Sequence, residues 1–270
     1  MPLAVCATPI GNLDDVTLRV LAELREADVV LCEDTRRTRI LLDRHGIGAR
    51  LVSYHRHNEA SRERDVLGRL ERGERVALVS DAGLPGVNDP GARLIRAAAE
   101  AGLPVTVLPG PSAVETALVV SGVSADRYEF LGYLPRKTGE LRALARALRS
   151  SDGAVVAFES PRRLPASLAV LAEELPGRPA AVCRELTKKF EEVVRGSVED
   201  LAWRFAEAPL GEVTLVLGPA TGRAADLSTS EDALRAVGEL VAAGASRRAA
   251  AEVVARLTGA SKNDLYRGSL

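Results

Sequence analysis

Short apolar segments alternate with amphipathic segments through the first third of the chain. The apolar segments have the length and composition of buried strands and are LAVCAT (3–8), DVVLCE (28–33), RLVSY (50–54), RVALVS (75–80) and PVTVLPG (104–110). Between them, residues 16–26, 36–44, 59–71 and 91–101 show the period of 3.6 that is typical of helices. Repeated strand, helix, strand units predict a parallel sheet with right-handed crossovers and helices on both faces.

The pattern changes in the second part of the chain, where helices are fewer and strands lie closer together. Strands are predicted at 128–134, 153–159, 179–186, 190–198 and 212–218, with helices at 138–149, 163–175 and 199–207. From about Leu227 onward the sequence is helical only. We therefore predict two α/β domains, one with a parallel sheet (1–112) and one with a mixed sheet (113–222), followed by a helical basic extension (223–270).

Composition narrows the kinds of partner that the chain can bind. The 270 residues carry 36 basic and 37 acidic side chains, so the net charge will not draw the protein to nucleic acid. Nine aromatic residues are too few for the stacking platforms of RRM or OB-fold proteins. Any contact with RNA must therefore come from local patches.

One such patch lies near the end of the sequence. Residues 245–270 hold five basic side chains against two acidic ones, a local net charge of +3. Arg247, Arg248 and Lys262 are candidates for contacts to an RNA backbone. In this interpretation the end of the chain is a small helical module that binds phosphates. The alternative is an ordinary solvated helical tail.

The cysteines and the N-terminus indicate a cytoplasmic protein. Cys6, Cys32 and Cys183 each sit in an apolar run and show no metal-ligand spacing, so we expect reduced core residues. The first residues lack the features of a signal peptide, and no apolar run of 18 residues occurs. The pair His55 and His57 has no evident third ligand, so no metal site is expected.

The polar segments that follow the predicted parallel strands should meet at one edge of the sheet, where ligands bind in such folds. These segments are TPIGNLDD, EDTRRTR, SYHRHNE, SDAGLPGVNDPG and PGPSA. None of them contains the glycine fingerprint of dinucleotide enzymes, and the chain has neither a P-loop nor a serine-hydrolase elbow. The sequence thus predicts a ligand site of another kind, and a nicotinamide oxidoreductase is disfavoured.

Two of these segments suggest specific chemistry. The Gly- and Pro-rich segment after the fourth strand exposes backbone that could hold an uncharged heterocycle, with Asp81 balancing a positive charge or serving as a turn residue. Glu33 and Asp34 precede Arg36. A carboxylate that transfers a proton would then lie beside a guanidinium that binds phosphate. The alternative for this second segment is a helix N-terminus with acidic residues first.

Several ordered strings together resemble the tetrapyrrole methylase superfamily. They are TPIGNL (8–13), EDTR (33–36), HNE (57–59), ALVSDAGLP (77–85), NDPG (88–91), LPGPSA (108–113), FESPRR (158–163), RELTKK (184–189) and KNDLY (262–266). The likeness is strongest to the branch that methylates the ribose 2'-hydroxyl of a cytidine in the decoding region of 16S rRNA within the small ribosomal subunit. The chain departs from the pattern at Leu84, Tyr133 and Arg162, where Thr, Phe and His are usual.

The resemblance implies S-adenosyl-L-methionine held in a cleft between two α/β domains of a homodimer. It places the cofactor contacts on Ile10, Asp81, Leu84, Ser112, Ala113, Phe158, Cys183 and Glu212. A ribose hydroxyl needs a base or a nearby cation to lose its proton, and within the motifs the candidates for the base are Glu33, Asp34 and Glu185. For substrate phosphates the candidates are Arg36, Arg184 and Lys188.

Two other interpretations keep the fold. The methyl acceptor could be a tetrapyrrole or a diphthamide precursor, although the EDTR and SDAGLP strings and the basic tail disfavour these acceptors. The chain could also be a ribosome-binding factor that retains a cofactor fold without catalysis.

Overall fold

The first sheet contains five strands, and all of its pairings are parallel. In a computed structural model that describes residues 2–86, 89–123, 126–220, 231–258 and 260–269, its strands are β1 (Leu3–Cys6), β2 (Val29–Cys32), β3 (Leu51–Ser53), β4 (Val76–Leu78) and β5 (Val105–Leu108). Their order is β3-β2-β4-β1-β5. The parallel sheet predicted from the apolar pattern is therefore confirmed.

Helices connect these strands and cover the sheet on both faces. They are α1 (Leu18–Glu26), α2 (Thr35–Arg44), α3 (Glu59–Glu71) and α4 (Ala92–Glu100). One apolar core contains Leu24, Leu42 and Ala77, and the core on the opposite face contains Leu70, Leu78 and Leu94. Strands β1, β2 and β4 are buried along their whole length, which explains their uninterrupted apolar sequences.

The second sheet is mixed, as predicted. Its strands are β6 (Tyr128–Tyr133), β7 (Ala154–Glu159), β8 (Pro179–Arg184), β9 (Glu192–Ser197) and β10 (Val213–Leu217), in the order β6-β7-β10-β8-β9. Only β6 and β7 pair in parallel, and the other three pairings are antiparallel.

The two faces of the mixed sheet pack against different elements. One face is covered by α6 (Thr138–Leu148), α7 (Leu164–Glu174) and α8 (Val198–Arg204). On the other face, residues of α5 (Ala113–Ser121) share an apolar cluster with Cys183 and with Ile10 from the first sheet's side. Helix α5, which connects the two halves of the chain, therefore also contributes to the apolar contact between them.

Three helices follow the second sheet: α9 (Glu231–Ala242), α10 (Arg247–Thr258) and α11 (Lys262–Gly268). They share a small apolar core that includes Val237, Val254 and Leu265. Residues 221–230 lie outside the described residues, so the predicted domain boundaries at 112 and 222 stay predictions. No helix of the described residues is long and apolar enough to cross a lipid bilayer.

Several predicted elements differ from the observed ones at their ends. The strand predicted over 179–186 ends at Arg184, because Glu185 has a left-handed backbone with φ of 52° that cannot continue a strand. The helix predicted over 199–207 spans Val198–Arg204, since a capping box on Ser197 starts it one residue earlier.

Candidate functional site

A cavity of about 260 Å³ opens between the carboxyl edge of the first sheet and the loops of the second. The first sheet contributes the segments that follow β1 and β4, together with one side of α2. The lining residues are Thr8, Pro9, Ile10, Gly11, Leu13, Arg37, Thr38, Ile40, Leu41, Ser80, Asp81, Ala82, Lys188 and Glu212. Loops that follow parallel strands thus meet here, as the topology requires.

A second cavity of about 30 Å³ adjoins the first, because Ile10 and Glu212 line both. Its other lining residues are Ala113, Cys183, Leu186 and Thr214. Burial raises the pKa of Cys183 to about 12, so its thiol is neutral and acts as an apolar wall. Apart from Glu212 and Thr214, the walls of this smaller cavity are therefore apolar.

The loop after β1 packs closely against the loop after β8. The Asn12 N–H donates a hydrogen bond to Thr187 Oγ1 at 3.0 Å. A Cβ atom on Gly11 would lie 2.5 Å from Lys188 Cγ and 2.8 Å from the Leu186 carbonyl oxygen. Only glycine therefore allows the two loops to approach this closely.

The loop after β8 is held in an unusual conformation by charged contacts. Both Glu185 and Thr187 have positive φ angles, of 52° and 63°. Lys188 Nζ donates to Glu185 Oε1 at 2.8 Å and to Glu212 Oε2 at 2.9 Å, and the Glu212 N–H donates to Glu185 Oε1 at 2.8 Å. Non-glycine residues in this region persist where surrounding contacts enforce them, which is frequent at functional sites.

These contacts also fix the charge of Glu185. The hydrogen bond from Lys188, and then that from the Glu212 N–H, hold the pKa of the Glu185 carboxyl below its usual value. Glu185 is thus ionised at neutral pH and is held by two donors at Oε1.

The start of α2 meets the segment that follows β4, where Asp81 lines the larger cavity. Asp34 caps the helix by accepting from the Arg36 N–H at 2.8 Å, and its side chain pairs with the Arg36 guanidinium. These contacts with Arg36 lower the pKa of Asp34. Asp81 Oδ1 accepts from the Asp34 N–H at 3.0 Å, and its other oxygen lies 3.5 Å from Arg37. Asp34 is therefore the cap of a helix N-terminus, and the proton-transfer interpretation of this segment stays a prediction.

Asp89 is a titratable residue that the sequence reasoning did not single out. Burial, followed by the charge of Glu33, raises its pKa to about 6, while a hydrogen bond with Ser80 opposes the shift. A cluster of carboxylates thus gathers where β2 and β4 end. Asp89 lies in the quoted NDPG string, but its proximity to Glu33 depends on the pairing of those two strands.

The residues named from the resemblance occupy several distinct surroundings. Ile10, Asp81, Ala113, Cys183 and Glu212 line one or both cavities. Leu84 packs on the first sheet's core, Ser112 Oγ bonds the Glu115 carboxylate, and Phe158 contacts two other aromatic rings. The remaining lining residues, such as Thr8, Thr38 and Ser80, lie inside the quoted strings or beside them but were not named.

Most basic residues predicted to contact phosphates are already paired. Arg36 is 89% exposed and pairs with Asp34, whereas Arg184 is largely buried between Glu192 and the Leu210 carbonyl oxygen. Lys188 holds Glu185 and Glu212. The other three candidates, Arg247, Arg248 and Lys262, lie on α10 and α11, where Lys262 pairs with Glu252.

Within the described ranges, no group of three or more His, Cys, Asp or Glu side chains is arranged to hold a metal ion. The three cysteines are free and buried.

Comparisons with known proteins place this geometry in a family. A protein named ribosomal RNA small subunit methyltransferase I from Mesorhizobium japonicum is 45% identical over 268 residues, covering 98% of this chain and 90% of the relative. A protein of the same name from Mycobacterium tuberculosis is 47% identical over 269 residues, with 98% and 93% covered. The likeness thus extends over nearly the whole length of both chains.

Solved structures share the fold at lower identity. The methyltransferase CobJ matches with a TM-score of 0.62 and 24% identity, over 81% of this chain and 94% of that one. A uroporphyrin-III C-methyltransferase from Thermus thermophilus, complexed with S-adenyl homocysteine, matches with a TM-score of 0.57 and 19% identity, over 81% and 97%. The family model described as tetrapyrrole (corrin/porphyrin) methylases matches residues 2–202. The chain belongs to the tetrapyrrole methylase family.

Proposed function

We propose that this protein transfers a methyl group from S-adenosylmethionine to the ribose 2'-hydroxyl of a cytidine in the decoding region of 16S rRNA. The observation that carries the proposal is the 41–47% identity to proteins named ribosomal RNA small subunit methyltransferase I. The match continues through the C-terminal helices in relatives that cover 98% of this chain, beyond the residues that the family model matches.

The two adjoining cavities fit the methyl donor. The smaller one adjoins the larger and offers an apolar wall of Ala113, Cys183 and Leu186, against which one edge of the adenine ring would pack. The larger one presents the carboxylates of Asp81 and Glu212 to a ligand that carries a sulfonium and an ammonium group. When bound, S-adenosylmethionine supplies an electrophilic methyl group for an in-line displacement. The protein contributes mainly by holding donor and acceptor in that line.

Glu33 is the candidate base that the geometry favours. Asp34 is used as the cap of α2, and Glu185 is bound by Lys188 and by the Glu212 N–H. For Glu33, in contrast, the described part of the chain shows no hydrogen bond or ion pair at the carboxylate. It follows β2 directly, beside the segment after β4 that includes Asp81. A carboxylate in this position could accept the hydroxyl proton as the methyl group is transferred.

The acceptor class is tested by incubating the protein with tritiated S-adenosylmethionine and, separately, small subunits lacking the modification, large subunits, a tetrapyrrole precursor and an elongation factor that carries the diphthamide precursor. We expect label in the small-subunit RNA alone. Label in the tetrapyrrole or in the elongation factor would show that this molecule is a methyl acceptor and would contradict the proposed one. Binding of the donor with no transfer to any acceptor would favour a non-catalytic ribosome-binding factor.

The base is tested by single-turnover methylation with Glu33→Gln and Asp34→Asn. General bases contribute about 10²–10⁴-fold to rate, so Glu33→Gln should slow transfer by that order while donor affinity stays unchanged. Asp34→Asn keeps a capping oxygen and should have a smaller effect. Full activity in both variants would assign the proton transfer to another group.

A further inference from the structure

The second sheet carries a row of side chains that leads from the smaller cavity to an exposed aromatic ring. Cys183 on β8 pairs with Thr214 on β10, Thr214 pairs with Phe158 on β7, and Phe158 pairs with Tyr133 on β6. Residues paired in this way point to the same face of a sheet. Cys183 and Thr214 line the smaller cavity, so Phe158 and Tyr133 continue its wall outward.

The outer end of this row is an aromatic cluster with one open ring. Phe130 and Tyr133 both contact Phe158 edge to face, with ring centroids 5.0 Å and 5.6 Å away. The two phenylalanines are half-buried and belong to the apolar cluster around Cys183, whereas Tyr133 is 62% exposed. The Tyr133 ring is thus fixed from one side and open to solvent on the other.

Three arginines lie in the segments that follow β6 and β7, the strands that carry Tyr133 and Phe158. The Arg163 guanidinium donates to the Leu134 carbonyl oxygen at 3.0 Å and to the buried Glu159, which ties the segment after β6 to the segment after β7. Arg136 and Arg162 lie in these two joined segments, and both are exposed. In the ranges that the structure describes, neither forms an ion pair.

We propose that Tyr133 is a stacking site for a nucleobase of the RNA strand, at or next to the nucleotide whose ribose is methylated. Neighbouring strands are about 4.8 Å apart, so the Tyr133 position lies about 10 Å from Thr214 at the cavity wall. Every base has a π-face, and the exposed Arg136 and Arg162 in the segments that follow β6 and β7 complement the phosphates of the same strand.

This inference rests on the proposed function and assigns one element of its RNA recognition. A single ring does not make the multi-base platform that the scarcity of aromatic residues argues against. It instead anchors one base while the ribose is presented to the methyl donor.

The test measures the KM for small subunits and, separately, the dissociation constant of S-adenosylmethionine by equilibrium dialysis. Removing a stacked aromatic should raise the KM for subunits by roughly 5- to 100-fold in Tyr133→Ala. Tyr133→Phe should stay within about twofold of wild type, because it keeps the ring. Tyr133→Leu, which keeps apolar area but has no π-system, should resemble Tyr133→Ala and provides a second variant if the alanine variant folds poorly.

Trp203→Ala is the matched control. Trp203 is 82% exposed and lies on α8, which covers the opposite face of the second sheet. Its removal should leave both constants unchanged.

Three results would overturn the proposal. They are an unchanged KM for subunits in Tyr133→Ala, an equal loss of donor affinity in that variant, and a lowered oligomeric mass in solution, which would make Tyr133 a contact between protein copies. A wild-type protein that leaves small subunits unlabelled would instead overturn the proposed function, and this inference with it.

Discussion

At the scale of single residues, the carboxylates around the larger cavity differ in pKa because their surroundings differ. Asp34 and Glu185 bind cationic groups that keep their pKa low. Asp89 is partly buried near Glu33, and its pKa is raised from 3.8 to about 6. Such divergence among neighbouring titratable groups is typical of active sites.

The raised pKa of Asp89 has a consequence for stability. The folded chain binds this proton more tightly than the unfolded chain does, so the contribution to the free energy of unfolding falls as pH rises from about 4 to about 6. The full loss is about 3 kcal/mol at most. Asp89→Asn removes the charge, so it should be more stable than wild type at pH 8, by about 1–3 kcal/mol, and similar to it at pH 4.

Denaturant unfolding of both proteins across this pH range measures the difference. Asp14→Asn is a control of opposite sign, because the hydrogen bond from Arg44 lowers the pKa of Asp14. That contribution is present above the ordinary pKa of an aspartate and is lost as pH falls through the lowered value. A stability difference between Asp89→Asn and wild type that does not change with pH would show that burial of the Asp89 charge has no measurable cost.

The positions of some residues in the cavity walls could be predicted from the sequence, whereas their contacts could not. Ile10, Asp81 and Glu212 were named from the motif resemblance, and the structure places all three in the cavity walls. The pairing of Asp81 with the start of α2 joins residues 47 positions apart in the chain, which no local pattern indicates. The engagement of Lys188 by two carboxylates depends likewise on how the second sheet closes.

At the scale of elements, the contact between the loops after β1 and β8 is what closes the site. The apolar pattern of the sequence predicted the two strands that precede these loops, because a buried strand is apolar along its whole length. The conformation of the loop after β8 could not be predicted from the sequence, because Glu185 and Thr187 have positive φ angles that non-glycine residues rarely adopt. Tertiary contacts to Lys188 and Gly11 override that local preference.

Gly11→Ala should therefore separate the two loops. Its Cβ would lie 2.7 Å from Thr187 Oγ1 and 2.5 Å from Lys188 Cγ, so one loop must shift. We expect at least about a tenfold loss of affinity for S-adenosylmethionine, since misplacement by an ångström at a site has effects of this size or larger.

Gly48→Ala is the matched control, because a Cβ atom there meets nothing within 4 Å. It should leave donor affinity unchanged and shift stability by no more than about 0.5 kcal/mol. If calorimetry shows wild-type affinity for S-adenosylmethionine in Gly11→Ala, the contact between the loops after β1 and β8 does not contribute to donor binding.

At the scale of the whole molecule, the two cavities lie between two sheets, and the three helices described after them form a unit with its own small core. The periodicity of the sequence predicted the parallel sheet, the mixed sheet and the helical end. It could not predict the antiparallel order β7-β10-β8, which brings Thr214 between Phe158 and Cys183. Strand order depends on packing between segments that are distant in the sequence.

The basic C-terminal helices are expected to bind RNA through its backbone. Arg247→Ala combined with Arg248→Ala should weaken binding to small subunits and reduce the slope of log affinity against log salt by about 1 for each lost phosphate contact. Donor affinity should not change. Arg62→Ala combined with Arg64→Ala removes the same charge from exposed positions of α3 and should have a smaller effect. Equal salt slopes in both double variants would assign no special role to α10.

The most direct measurement is the chemical identity of the methylated product. After transfer from tritiated S-adenosylmethionine to small subunits, the 16S rRNA is digested to nucleosides and the labelled nucleoside is identified, with its position mapped by resistance to alkaline cleavage. The account predicts one 2'-O-methylcytidine in the decoding region, strongly reduced in Glu33→Gln. Label on a base, on another nucleoside or on ribosomal protein would contradict it.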